Sequence, residues 1–138
     1  MRHKRHHRIP VGFWFATLVF LVFSGIGASE AASDLSTVKA SGGKKLSSGQ
    51  IAKMYIGKKI DGQTSRNVRF TNRYKRDGSK VSTVDGKSTT GSWTYNGGRW
   101  CETLTSSGKR ICDPIIYKLG KTCYSYTPAG KFVAKWGC

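Results

Sequence analysis

From Asn67 to Lys75 apolar and polar positions alternate. Val68, Phe70 and Tyr74 fall on one side, and Arg69, Thr71, Arg73 and Lys75 on the other. A period of two with one apolar side is the pattern of a half-buried antiparallel strand. The same reading pairs Trp93 with Tyr95, Tyr124 with Tyr126 and Phe132 with Trp136 on common faces, and assigns most of these aromatics to a core. One earlier stretch has a helical period instead. Ser47 stands three residues before Gln50 as a capping box, with Leu46 and Ile51 placed as a hydrophobic staple. Ile51, Met54 and Tyr55 share a face, and Gly57 sits where a left-handed cap belongs. This predicts a short helix over Ser48–Ile56 that plugs or flanks a sheet.

After Gly57 the punctuation is that of strands. Asp61-Gly62, Asp77-Gly78, Asp85-Gly86 and Asn96-Gly97 are hairpin-closing dipeptides. Further turns are expected at Ser106-Ser107, Leu119-Gly120 and Pro128-Ala129-Gly130. The expected fold is mainly β: an antiparallel meander or small lipocalin-like barrel of about 7–8 strands, with one short N-terminal helix and disulfide staples.

The stretch Gly91–Cys112 sets the register. Facing residues of an antiparallel pair have a constant sum, and a turn centred on Ser106-Ser107 gives the same sum as Cys101 with Cys112. These two cysteines should face each other and bond at a Cα separation of roughly 4.5–5.5 Å. Cys123–Cys138 is then the pairing that remains. In that register Trp100, Glu102 and Leu104 share a face with Lys109, Ile111 and Asp113. If that face is the core, Glu102 points inward. It must meet an arginine or lysine from another strand, or it marks a polar pocket with Trp100 and Asp113.

Composition changes the picture in two ways. Residues 1–28 read as a secretory signal peptide: Arg2, Lys4, Arg5 and Arg8, then the apolar run Val11–Phe23, then small residues. Cleavage is expected after Ala28 or Ala31; an uncleaved membrane anchor is the alternative. Residues 29–45, rich in Ser, Ala, Gly and Lys, read as a flexible leader, and 46–138 as one small β-domain. The chain's three histidines, His3, His6 and His7, all lie in the targeting segment. The exported part then has no imidazole for base catalysis or zinc. Its four cysteines, spaced by ten, ten and fourteen residues, suit disulfides rather than a metal, and no cofactor or metal site is expected.

Four of the 24 Lys and Arg leave with the targeting segment, and the remainder against 7 acids gives a net charge of about +13. Arg69, Arg73, Lys75, Arg76 and Lys80 gather on one hairpin and form the candidate polyanion-binding set. Outside the cytoplasm the matching partners are anionic lipid headgroups, lipopolysaccharide phosphates and acidic glycans. Nucleic acid is chemically equivalent, but export argues against it. The plainer reading is that the charge only keeps the surface solvated. A carrier holding a small ligand inside a closed sheet, and a structural or inhibitory partner of another envelope protein, are the alternative functions. No enzyme is expected. The enzymatic alternative is a hydrolase using Glu102 and Asp113, diagonal neighbours at roughly 7–8 Å.

The helix Leu46–Gly57, Gly57-Lys58-Lys59-Ile60, Tyr74 with Asp77-Gly78, Gly91-Ser92-Trp93, Trp100-Cys101, Cys112 and Ile116-Tyr117 follow one another in an order that resembles the proteobacterial family catalogued as domain of unknown function 995. The likeness runs from about Ser41 to Gly130. It implies an exported bacterial β-domain similar to lipocalin-like barrels, and it implies no activity.

Overall fold

Short-range signals place most element boundaries. The computed structural model describes residues 33–105 and 107–138, so the expected targeting segment lies outside the described residues. Helix α1 spans Leu35–Ala40 and helix α2 spans Ser48–Tyr55. The capping box of α2 is formed as expected: the Ser47 hydroxyl accepts from the Gln50 amide, and the Gln50 side chain accepts from the Ser47 amide at 2.8 Å. Gly57, with φ of 74°, follows the C-cap Ile56.

The described residues also form ten strands, in chain order β1 Lys44–Lys45 between the helices, then β2 Lys59–Thr64, β3 Arg69–Tyr74, β4 Ser79–Val84, β5 Lys87–Asn96, β6 Arg99–Leu104, β7 Arg110–Cys112, β8 Ile115–Leu119, β9 Thr122–Tyr126 and β10 Phe132–Gly137. The sheet order is β1-β8-β9-β10-β2-β3-β4-β5-β6-β7, every pair antiparallel. The mainly β expectation therefore holds. The count exceeds seven or eight because β1 and β7 have only two and three residues.

The sheet curls into a half-barrel around α2. Ile51, Ala52 and Tyr55 of the helix pack with Ile60 and Phe70 from the middle of the sheet, Trp100 from one end, and Ile116, Cys123 and Trp136 from the other. Edge strand β7 is followed after only Asp113 and Pro114 by β8, which lies next to the opposite edge. Three peptide steps span at most about 11 Å, so the two ends of the sheet approach each other there. Asp113, at φ of 50°, fixes this crossing: its carboxylate accepts from Ser48 Oγ at 3.0 Å and from Arg99 Nε at 2.8 Å.

Three expectations change here. The segment 29–45 is not a flexible leader where it is described. Asp34 caps α1 by accepting from the amides of Ser36 and Thr37, Val38 is fully buried, and β1 pairs with β8. Asp61-Gly62 is not a turn but part of β2, and the chain reverses at Ser65–Asn67 instead. Gly62 is required for packing: a Cβ there would lie 2.4 Å from the Lys135 carbonyl oxygen and 2.6 Å from the Phe70 ring. A β-bulge between Phe132 and Ala134 turns Phe132 and Trp136 to opposite faces. Trp136 joins the core around α2. Phe132 lies with Tyr126 and Tyr124 on the other face, where the Tyr126 hydroxyl donates to the Ser33 carbonyl at 3.0 Å beneath α1. Burial, with smaller effects from Tyr124, Asp34 and Tyr117, pushes the Tyr126 hydroxyl up to about 12.

The cysteines pair as expected. Cys101 faces Cys112 in the register of the β6–β7 hairpin and bonds to it, with a Cα separation of 4.0 Å. Cys123 bonds to Cys138. Two disulfides in one domain indicate a compartment outside the reducing cytoplasm. Among the described residues no helix is long and apolar enough to cross a membrane.

Candidate binding face and the buried Glu102 cluster

The alternation of β3 is realised. Phe70 and Tyr74 are buried against α2, while Arg69 and Arg73 are exposed on the opposite, convex face. Their neighbours extend the face. Arg73 stands opposite Lys59 on β2, and Arg69 stands opposite Gln63, which in turn faces Lys135 on β10. Lys75 and Arg76 are exposed just beyond β3. Arg76 lies along Gly57, past the C-terminal end of α2, where a cation is favoured by the helix dipole. The Lys75 carbonyl accepts from the Trp93 indole at 2.9 Å, which fixes the backbone under its side chain. A carboxylate interrupts the face beside Arg73. Asp61 accepts from Thr71 Oγ1 at 2.6 Å and pairs with Lys59 at 3.2 Å. The Thr71 hydroxyl first, then Lys59 and Arg73, hold its carboxyl below the usual range.

Lys80 does not belong to this set. Its side chain points to the concave side, is 7% exposed, and its ammonium lies 2.5 Å from Glu102 Oε2 and 4.9 Å from the centre of the Tyr74 ring. The inward Glu102 thus finds the cation it needs on another strand. Its second oxygen, Oε1, accepts from the Tyr74 hydroxyl at 3.1 Å and the Trp100 indole at 3.0 Å. Three donors on one carboxylate satisfy a polar group whose burial would otherwise be costly. Around it Tyr55 stacks on Tyr74 with ring centres 4.5 Å apart, and Trp93 stacks on Trp100 at 5.0 Å. Burial first, and then the Glu102 charge, push both the Tyr55 and Tyr74 hydroxyls well above the ordinary tyrosine range.

Glu102 and Asp113 do not form one constellation. Glu102 pairs with Lys80, and Asp113 is drawn to Arg99 and Ser48 at the crossing between β7 and β8. The left-handed backbone at Asp113 takes its side chain off the line of the hairpin. Partial burial opposes ionisation of Asp113, yet the Ser48 hydroxyl and Arg99 outweigh it and hold the carboxyl below its usual range.

Grooves open on the surface of the described residues. One of about 350 Å³ lies between Leu46, Ser48 and Pro114 at the crossing, and one of about 520 Å³ lies between Arg69, Phe70, Thr83 and Asp85. The second brings Arg69 beside Asp85 and so adds an acid to that end of the basic face. Lys59 and Lys135 were not singled out by the sequence as part of this face. β2 pairs with β3, but β10 joins β2 only across a long stretch of chain, and simple alternation around Trp136 is the signal that would have placed Lys135 outward. No protein-family model matches the chain, and no match is found among curated proteins or solved structures.

Proposed function

We propose that this chain is an exported, non-enzymatic binding domain whose convex basic face engages anionic components of the bacterial envelope: lipid headgroups, lipopolysaccharide or acidic glycans. The observation that carries this reading is the exposure of Arg69 and Arg73 on one face of β3, with Lys59 on the adjacent strand β2 and Lys135 on β10 beyond it. Among the described residues the ion pairs involve Lys59, Lys80 and Arg99, so Arg69, Arg73, Lys75 and Arg76 have no carboxylate partner there. A surface of that kind sets up a positive field, in an exported part with a net charge of about +13. The targeting pattern of residues 1–28 and the two disulfides support export to the periplasm or beyond, and the resemblance to the domain of unknown function 995 family is consistent with it.

A closed carrier is less well supported, because α2 and its aromatic partners fill the concave side. The hydrolase alternative has less support, because Glu102 pairs with Lys80 while Asp113 pairs with Arg99 and Ser48. The test is binding to phosphatidylglycerol vesicles and to lipopolysaccharide in low salt. The variant Arg69→Gln/Arg73→Gln/Lys75→Gln should lose at least about tenfold in affinity and keep its melting temperature, since exposed charges contribute little to stability. Binding equal to that of the unchanged protein would reduce the face to a solvated surface. Unfolding would mean that the two faces of β3 are assigned the wrong way round.

A further inference from the structure

The registers of six strands place one row of side chains straight across the convex face. Lys45 of β1 faces Tyr117 of β8, Tyr117 faces Tyr124 of β9, Tyr124 faces Lys135 of β10, Lys135 faces Gln63 of β2, and Gln63 faces Arg69 of β3. Directly paired residues share a face, so the row is continuous. At a strand spacing of about 4.8 Å its five steps cover about 24 Å. None of the six is buried. Among the described residues Lys45, Lys135 and Arg69 enter no ion pair.

Helix α1 forms a bank along this row. The neighbouring positions Tyr126 and Phe132 pack together at its foot, and Lys39 of α1 holds its ammonium 5.6 Å from the centre of the Tyr117 ring. Tyr117 meets Tyr126 edge to face at 6.1 Å, and Tyr124 is tilted against Phe132 at 6.4 Å. Both tyrosines are thus braced from one side and half-exposed on the other.

We propose that this row is the seat of a linear acidic polysaccharide lying across the strands. The proposal rests on the basic-face reading above and narrows its partner. Cations at Lys45, Lys39, Lys135 and Arg69 suit carboxylate or phosphate groups repeated along a chain. The two tyrosines offer ring faces to the C–H faces of sugar rings, and Gln63 can both donate to and accept from hydroxyls. A headgroup layer calls for charge alone, whereas this row also holds two half-exposed tyrosines whose rings suit sugar units. Nucleic acid has the same charge and would stack on the same rings, but the disulfide-forming compartment favours the glycan.

The test uses the full chain with polygalacturonate, oligodeoxythymidylate and phosphatidylglycerol vesicles as probes at one low salt concentration. Tyr117→Leu/Tyr124→Leu keeps apolar bulk at both positions while removing the rings. It should lower polygalacturonate affinity by about tenfold or more, the scale of a lost aromatic platform, and leave vesicle binding unchanged. Should that variant fold poorly, Lys45→Gln/Lys135→Gln is compared with Lys118→Gln/Lys121→Gln, which removes equal charge off the row. Only the first pair should weaken polygalacturonate binding markedly. Equal losses from both pairs, or a folded leucine variant that binds polygalacturonate normally, would overturn the row while leaving the basic face intact. Vesicle binding without polygalacturonate binding would do the same. Tighter binding of oligodeoxythymidylate than of polygalacturonate would overturn the choice of occupant. Binding to none of the three probes would remove the basic-face reading as well.

Discussion

Replacing Glu102 by leucine is expected to cost the domain about 3–5 kcal/mol, because a largely buried ammonium is left without its counter-charge. Lys80 has a side chain only 7% exposed and, among the described residues, its ion pair is with Glu102 alone. The same change orphans the Tyr74 hydroxyl and the Trp100 indole, which both donate to Oε1. Total stabilities of small domains are about 5–15 kcal/mol, so the single variant should sit near unfolding at room temperature. Denaturant melts supply the measurement. The double variant Lys80→Met/Glu102→Leu should be clearly more stable than the single one, since it removes the unpaired charge and fills the space with apolar atoms. A double variant no more stable than Glu102→Leu would show that the damage does not come from Lys80.

The second large effect is expected at Trp100, whose side chain is fully buried and packs against Tyr55, Tyr74 and Trp93. Trp100→Ala should cost about 3–5 kcal/mol through lost contact and the cavity left behind. It should also free Tyr74 and Tyr55 to move, so near-ultraviolet circular dichroism should fall together with the melting temperature. A melting temperature close to that of the unchanged protein would mean that the ring packs less tightly than its neighbours indicate. The disulfide beside it does not compensate. Cys101–Cys112 closes a loop of sequence separation 11 and contributes roughly 2–3 kcal/mol by restricting the unfolded chain.

What the sequence made legible was local. The capping box at Ser47 and Gln50 involves residues three apart, and the hairpin dipeptide Asp85-Gly86 adopts positive φ at both positions as such a turn requires. The pairing of Cys101 with Cys112 followed from counting outward from one turn. Errors came where a residue type has two uses. Asp61-Gly62 has the composition of a turn, but its glycine makes room for the Phe70 ring and the Lys135 carbonyl across the sheet. Lys80 has the composition of a surface residue, yet β4 turns Lys80 and Ser82 inward and leaves Val81 half-buried on the convex side. That inversion makes sense only once Glu102 is seen opposite, although the need of Glu102 for a cation from another strand was itself readable. Helix α1 was missed because Val38 is its only fully buried side chain and its surroundings are Ser, Thr, Lys and Ala. The convex row from Lys45 to Arg69 could not be read at all, since it depends on β1 meeting β8 and β10 meeting β2 across long stretches of chain.

The convex face has a consistent physical character. Its arginines and lysines are solvated and mostly without carboxylate partners, while the two acids that matter for packing, Glu102 and Asp113, are spent inside or at the crossing of the sheet ends. Positive charge therefore predominates on this face, with Asp61 and Asp85 as the acids set among it. The most direct measurement is titration of the full chain with phosphatidylglycerol vesicles at about 0.01 M and about 0.15 M salt, where the screening length falls from about 30 Å to about 8 Å. Affinity should drop by tenfold or more, on the order of 1.4 kcal/mol or above. An affinity that is the same at both salt concentrations, or no binding at either, would contradict a binding role for the basic face.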